Sequence, residues 1–314
     1  MLFQRLKPSA ALNIVSYADV EHFRESERYL RAASLPLAAG GLSICRAELC
    51  LPSCTLSLVR TFPRIINGYE LAGRVVVVIP MDDISSARIN GEPIGNAILA
   101  MKGNAQCTIY EPEGRLVAIL STEQTGLAGP SLDFDRGYRL ITLPPHERSW
   151  LQIQIGATLE LAARDAEASQ LPAIRLGLQE TLLSTVERAL VLGEPAGADR
   201  PSALDRYKTI IDRIDDLILR NPSDDLSCGQ FASEIGTSIR TLQTATQLLC
   251  GSGTYRYGRL RRLWMVRQQL RSGAAGLTVK ASALAHGFHH MGEFSGLYFA
   301  TFGELPSRTL AAAR

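Results

Sequence analysis

The sequence predicts an α+β chain in which a β-rich N-terminal domain is followed by a helical segment and an all-α C-terminal domain. Three observations carry this. Between Leu42 and Ser121, short β-favouring runs such as Arg74 to Ile79 and Leu116 to Leu120 alternate with turn signals, among them Asn90-Gly91. After Pro144-Pro145 the composition turns to Leu, Ala, Gln and Glu, the residues of helices. In the last third, a layout of short helix, glycine turn and second helix occurs twice.

A chain of 314 residues is too long for one ordinary core and suits two domains. At 46% hydrophobic and 20% charged it has the composition of a soluble globular protein. The longest strongly apolar run, Val75 to Pro80, has a strand's length and falls well short of the roughly 18 residues of a membrane span. Met1 to Ala11 lacks an apolar segment with a cleavage site, so no secretory signal is read and a cytoplasmic location is expected. The six cysteines then stay reduced. Cys45, Cys50 and Cys54 read as small strand hydrophobes, with a metal or redox trio as the alternative.

Residues 1–143 form the β-rich domain, a sandwich or barrel, with Asp19 to Ala33 as a charged helix on its outside. Residues 144–193 form the helical segment, with one helix from Glu147 to Ala168 and a second from Ala173 to Leu192. Leu178, Leu182, Val186 and Ala189 share one face of the second helix, which fits either an internal helix hairpin or a dimer seam. Residues 194–204 read as a linker, since Gly193 to Ser202 is rich in Gly, Pro and small residues, and 205–314 form the helical domain.

In the helical domain Ser227 stands three residues before Gln230, a capping box that opens a short helix with Phe231, Ala232 and Ile235 inward. Gly236 permits the turn, and Ser238 caps a second helix with Leu242, Ala245 and Leu249 inward. Ile239, Arg240, Gln243, Thr244 and Gln247 are left outward, types that read base edges: Arg donates twice to guanine, Gln pairs with adenine, and apolar groups meet thymine methyls. The layout returns at offsets of 51 and 52 residues: Thr278 caps, Ala283 and Gly287 repeat Ala232 and Gly236, Phe294 stands for Leu242, and Gly303 for Gly251. Two helix-turn-helix units joined by the basic helix Arg256 to Leu270 suit two successive major grooves, about 34 Å apart. The whole chain carries a net charge of only +2, yet Ser238 to Arg308 holds nine basic residues against two acidic ones. That asymmetry marks a phosphate-facing surface.

Arg240-Thr-Leu-Gln, Tyr257-x-Arg259-x-x-Arg262-Leu263, and above all Gly287-Phe288-His-His-Met-Gly-Glu-Phe294-Ser295-x-x-Tyr298-x-x-x-Phe302-Gly303-x-x-Pro306-Ser307 resemble the AraC/XylS transcription regulators over Leu226 to Leu310. The N-terminal stretch most resembles the branch containing ethanolamine-operon regulators. The resemblance implies a cupin-like N-terminal barrel that binds a small-molecule effector, helices that make a homodimer, and an activator that touches RNA polymerase. It implies base contacts from Met291, Gly292, Glu293 and Gly296 in the second unit, beside those of the first. Phosphate contacts are expected from Ser238, Arg259, Arg262, His290 and Ser295, with His290 also capping its helix. Departures from the family pattern are Thr246 at a usual Phe, Gly253-Thr254 for Ser-Pro, Gly258 after Tyr257, and Ser282 at an isoleucine-like position. Each is expected to loosen packing.

The opposing reading is a metal-independent cupin-like enzyme, or a thiol-based redox sensor with a vestigial DNA-binding domain. The five histidines are His22, His146, His286, His289 and His290, so none lies on the predicted strands to hold a metal. No phosphate loop or nucleophile elbow is present, and Asp82-Asp83 fits a solvated turn. No catalytic residue, metal or cofactor is expected. The effector pocket is left open, because Arg60, Tyr69 and Arg74 reverse direction with a one-residue change of strand register.

Overall fold

The computed structural model describes residues 2–17, 19–26, 31–37, 43–82, 86–127, 132–134, 137–164, 171–196 and 203–314. Its elements in chain order are α1 (Leu2–Arg5), β1 (Leu12–Tyr17), α2 (Val20–Glu25), β2 (Arg31–Pro36), β3 (Ile44–Cys50), β4 (Cys54–Arg60), β5 (Arg64–Pro80), β6 (Arg88–Ile89), β7 (Glu92–Pro93), β8 (Ile98–Glu111), β9 (Leu116–Glu123) and β10 (Tyr138–Thr142). There follow α3 (Pro145–Arg164), α4 (Pro172–Leu192), β11 (Glu194–Ala196), α5 (Ala203–Arg220), α6 (Cys228–Ile235), α7 (Ile239–Cys250), α8 (Thr254–Arg271), α9 (Val279–Ala285), α10 (Met291–Phe302) and α11 (Pro306–Ala312).

The strands make one eleven-stranded antiparallel sheet with the main order β1-β3-β4-β9-β5-β8-β10-β11. β5 organises it. Its first half, from Arg64 to Glu70, lies between β2 and β8, and its second half pairs with β9 and β8. The break between the halves falls near Gly68 and Gly73, both at positive φ, where only glycine turns freely. Side-chain alternation then splits the valine run: Val75, Val77 and Ile79 enter one core cluster and Val76 another. The Asn90-Gly91 signal holds, as both residues have positive φ and join β6 to β7.

Three expectations change. The helix expected over Asp19 to Ala33 ends at Glu25, and Arg31–Pro36 is a strand; residues 27–30 lie outside the described residues. Leu178, Leu182, Val186 and Ala189 pack with Leu151, Ile155 and Leu159 of α3 onto the sheet, so that face serves the internal hairpin. The start of the expected linker, Glu194–Ala196, adds a strand against β10, which hydrogen-bonds its backbone instead of leaving it to solvent. The rest of that linker (197–202), the end of the expected first helix of the hairpin (165–168) and Asp83 lie outside the described residues. Of the residues weighed for a pocket, Arg74 donates to Ser121 Oγ at 2.8 Å, and the side chain of Tyr69 lies outside the described residues.

The sheet and the C-terminal helices share one core. Phe23, Leu35, Phe62 and Ile65 belong to the same cluster as Tyr257, Leu263, Trp264 and Phe302. Trp264 Nε1 donates to the Pro36 carbonyl at 3.1 Å, and Asn67 Nδ2 donates to Asp215 Oδ2 at 3.0 Å. Arg267 is the centre of a charged clasp: it donates to Glu21 of α2 and to Glu304 Oε1 at 2.7 Å, with its guanidinium 4.6 Å from the Phe302 ring centre. Among the described residues no helix is long and apolar enough to cross a membrane.

Removing one partner from a buried ion network leaves charge without compensation, at a cost of about 3 to 5 kcal/mol. Arg267→Met should therefore lower the urea midpoint of the whole chain, and Glu21→Gln, which keeps a hydrogen-bonding group, should lower it less. An unchanged midpoint for Arg267→Met would show that the clasp does not hold the two parts together.

Candidate nucleic-acid interface

The first unit is α6, a turn and α7. Ser227 Oγ accepts from the Gln230 N–H while Gln230 Oε1 accepts from the Ser227 N–H at 2.9 Å, which closes the capping box. Phe231, Ala232 and Ile235 are buried, and Gly236 ends α6 at φ 71°. Ser238 Oγ accepts from the Thr241 N–H at 3.1 Å and starts α7. Leu242, Ala245 and Leu249 are buried; Arg240, Gln243 and Gln247 are exposed, and Ile239 is 47% exposed although apolar. Thr244 is half-buried, its hydroxyl donating to the Arg240 carbonyl at 2.9 Å.

The second unit, α9 and α10, repeats this construction. Thr278 Oγ1 accepts from the Ala281 N–H at 3.1 Å, and Gly287 makes the turn at φ 79°. Phe294, Tyr298 and Phe302 are buried, with successive ring centres 5.7 and 4.5 Å apart. On the outer side His289, His290, Gly292, Glu293 and Gly296 are exposed, and Met291 and Ser295 are half-buried. In both units the second helix has a polar residue at its N-cap position (Ser238 and His290), ends at a left-handed glycine (Gly251 and Gly303), and carries its exposed residues on one face.

A family model described as a helix-turn-helix domain matches residues 231–312. The XylDLEGF operon transcriptional activator 2 of Pseudomonas putida is 33% identical over 136 residues, covering 43% of this chain and 78% of that protein. The chain belongs to the AraC/XylS family of transcription regulators. The XylDLEGF operon transcriptional activator 1 of the same organism is 35% identical over 100 residues, 32% of this chain and 30% of that protein. A crystal structure of a probable AraC family transcriptional regulator from Rhodopseudomonas palustris is 30% identical, with a TM-score of 0.31, covering 34% of this chain and 98% of that one. As an AraC/XylS regulator the chain binds DNA through its helix-turn-helix part.

One expected phosphate contact and one expected helix cap need correction. Arg262 is only 3% exposed: it donates to Asp225 Oδ1 at 3.0 Å and to the Asp224 carbonyl, so its charge ties the loop before α6 to α8 and is out of a phosphate's reach. The signal that could have shown this is the Asp224-Asp225 pair just ahead of the capping box. His290 occupies the N-cap position of α10, yet its side chain makes no cap hydrogen bond. Arg259 lies on α8 with Nη1 donating to Glu293 Oε1 at 2.6 Å, a pairing that the separation of the two residues in sequence hides. Burial pulls against ionisation of Arg259, but the Glu293 carboxylate beside it, together with Tyr255 and Asp225, outweighs that and holds its pKa above the usual value.

The departures from the family pattern are compensated by polar pairing. Thr246 is fully buried, and its hydroxyl is 3.1 Å from that of Thr254, so two of the departures satisfy each other. Buried Ser282 donates to Gln269 Oε1 at 2.6 Å. At Gly258 an added Cβ would meet Ile218 and Phe231 at ordinary contact distances of 3.7 to 3.9 Å, so close packing does not demand the glycine.

Cys50, Cys54 and Cys107 are not activated for redox chemistry. Burial pushes the Cys54 thiol up to about 11 and Cys107 up to about 12, and burial together with the Glu48 carboxylate raises Cys50. A raised pKa leaves the unreactive protonated thiol at neutral pH, and the thiolate fraction grows only as pH climbs beyond the ordinary cysteine range. Alkylation of the native protein at pH 7.5 should accordingly be slower at Cys50, Cys54 and Cys107 than for free cysteine, and should accelerate past pH 9. Fast labelling of any of the three at neutral pH would bring the redox reading back.

Proposed function

We propose that this AraC/XylS regulator reads two successive major grooves of one duplex, α7 in the first and α10 in the second. The observation that carries the reading is the shared partition of the two helices: each buries an apolar face on its unit and exposes the opposite one. Ile239, Arg240, Gln243, Thr244 and Gln247 contact bases from α7, and Met291, Gly292, Glu293 and Gly296 line the contact from α10. Ser238 and Ser295, at the starts of these helices, and His290 approach phosphates, where hydroxyl and ring N–H groups donate to oxygens. As domain limits we take 1–143 for the sheet domain, 144–193 for the helical segment and 205–314 for the DNA-binding domain, with the 194–204 connection opening as the strand Glu194–Ala196 and closing in the first residues of α5.

The chain acts as an activator in contact with RNA polymerase, and a cupin-like fold of the sheet domain holds a small-molecule effector. The effector works through its unequal affinity for two arrangements of the chain. The sheet and α8 share a core, which gives such a ligand a mechanical route to the DNA-facing helices. The chain forms a homodimer through the outer face of α3, where Ile153 (65% exposed), Ala157 and Leu161 (54% exposed) repeat every four residues. This face lies opposite the one that packs on the sheet.

Arg240→Ala and Gln243→Ala should each relax specificity at defined base pairs and cost about 1 to 3 kcal/mol where a bidentate contact is lost. Footprints and competition binding on a mapped operator read this directly. Wild-type behaviour in both variants would place the wrong face of α7 against DNA. Leu161→Glu, which changes an exposed residue, should shift the purified chain from dimer to monomer in analytical ultracentrifugation; a dimer that persists would remove α3 as the seam.

A further inference from the structure

The two exposed helix faces differ in charge. α7 offers Arg240, Gln243 and Gln247, whereas α10 carries one charged side chain, Glu293, with its side chain 58% exposed. An isolated carboxylate on a surface that meets DNA is repelled by the phosphates. In this chain it is compensated. Arg259 of α8 holds Glu293 Oε1 at 2.6 Å, and the same guanidinium stands 5.7 Å from the ring centres of both Tyr255 and Phe288. The pairing also holds the Glu293 carboxyl below its usual pKa, so the side chain stays an acceptor. On either side of it along the helix, Gly292 and Gly296 have open space where a Cβ would stand. The helix surface beside the carboxylate is therefore bare, and the groove floor meets little else there.

We propose that Glu293 reads a cytosine, its second oxygen accepting from the exocyclic N4 amino group in the major groove, and that Arg259 is the positioning residue that holds and neutralises it. The inference rests on the reading of α10 as a groove-inserted helix. An acceptor-only carboxylate rejects the acceptor edges of guanine and the carbonyl of thymine. Adenine offers an amino donor too, but with the N7 acceptor next to it, which opposes a second acceptor. Cytosine is the base whose groove edge matches. Arg259 then serves base reading through Glu293 and is not a phosphate clamp.

The test is selection from randomised duplexes with the full purified chain. Wild type should enrich cytosine at one position of the half-site read by α10. E293Q should move that position towards adenine, which glutamine pairs with twice, and E293A should flatten it. R259A should also flatten that position and leave the α7 half-site intact, while R259K keeps the cytosine, a rescue that a purely structural role does not produce. N4-methylcytosine at the selected position should weaken wild-type binding about tenfold and leave E293A unaffected. Identical selected sequences for wild type and E293Q, or an α7 half-site with no cytosine in the second, would overturn the proposal and leave the two-groove reading standing. Enrichment of no sequence at all would overturn both.

Discussion

The exposed face of each helix-turn-helix unit depends on a left-handed backbone at a single residue between two short helices. At Gly236 and Gly287 φ is 71° and 79°, a region that costs an ordinary L-residue roughly 1 to 2 kcal/mol. The turn stops the first helix and redirects the chain, so that the second helix lays Leu242 or Phe294 inward and keeps its polar residues out. The two glycines are not equivalent. At Gly236 the demand is conformational alone, because a Cβ would meet nothing within 4 Å; at Gly287 the same atom would also stand 2.9 Å from the Ser223 carbonyl oxygen. The second unit is pinned to the loop ahead of the first, and that loop is held in turn by Arg262.

α8 joins these constraints to the rest of the chain. One side of it carries Arg259 towards α10, another buries Tyr257 and Leu263, and further along it Trp264 reaches β2 and Arg267 reaches α2. A helix so fully engaged has little freedom to rotate, since each of its contacts opposes a shift. Several polar groups in this region are paired: Asp215 accepts from Tyr257, Asn67 and Arg261, and Thr246 meets Thr254. Burial raises the Asp215 carboxyl pKa, with Arg261 working in the other direction. At Thr246, Thr254 and Ser282 the departures from the family pattern are met by hydrogen bonds.

Signals that act within a few residues were legible. Ser227 with Gln230, Ser238 and Thr278 announced helix starts, Gly251 and Gly303 announced ends, and the valine run announced a strand, which the structure buries on both faces. Signals that depend on distant partners were not. Arg31–Pro36 looks helical by composition and becomes a strand because Arg64–Glu70 offers it a ladder. Arg262 looks like a surface cation until Asp225 and the Asp224 carbonyl close over it. The apolar stripe of α4 fitted two partners equally, and the sheet took it.

The amino-acid order by itself determined the family, the repeated helix-glycine-helix units and the residue types offered to DNA, because caps, turns and a 3.6-residue period are local physics. Tertiary structure alone decided which cations remain available, which apolar face is internal, and how the sheet grips α8. Those outcomes depend on charges and ladders brought together from positions far apart in sequence, where Glu21 meets Arg267 and Glu293 meets Arg259. No local pattern encodes such a meeting, since its free energy exists only once the intervening chain has folded.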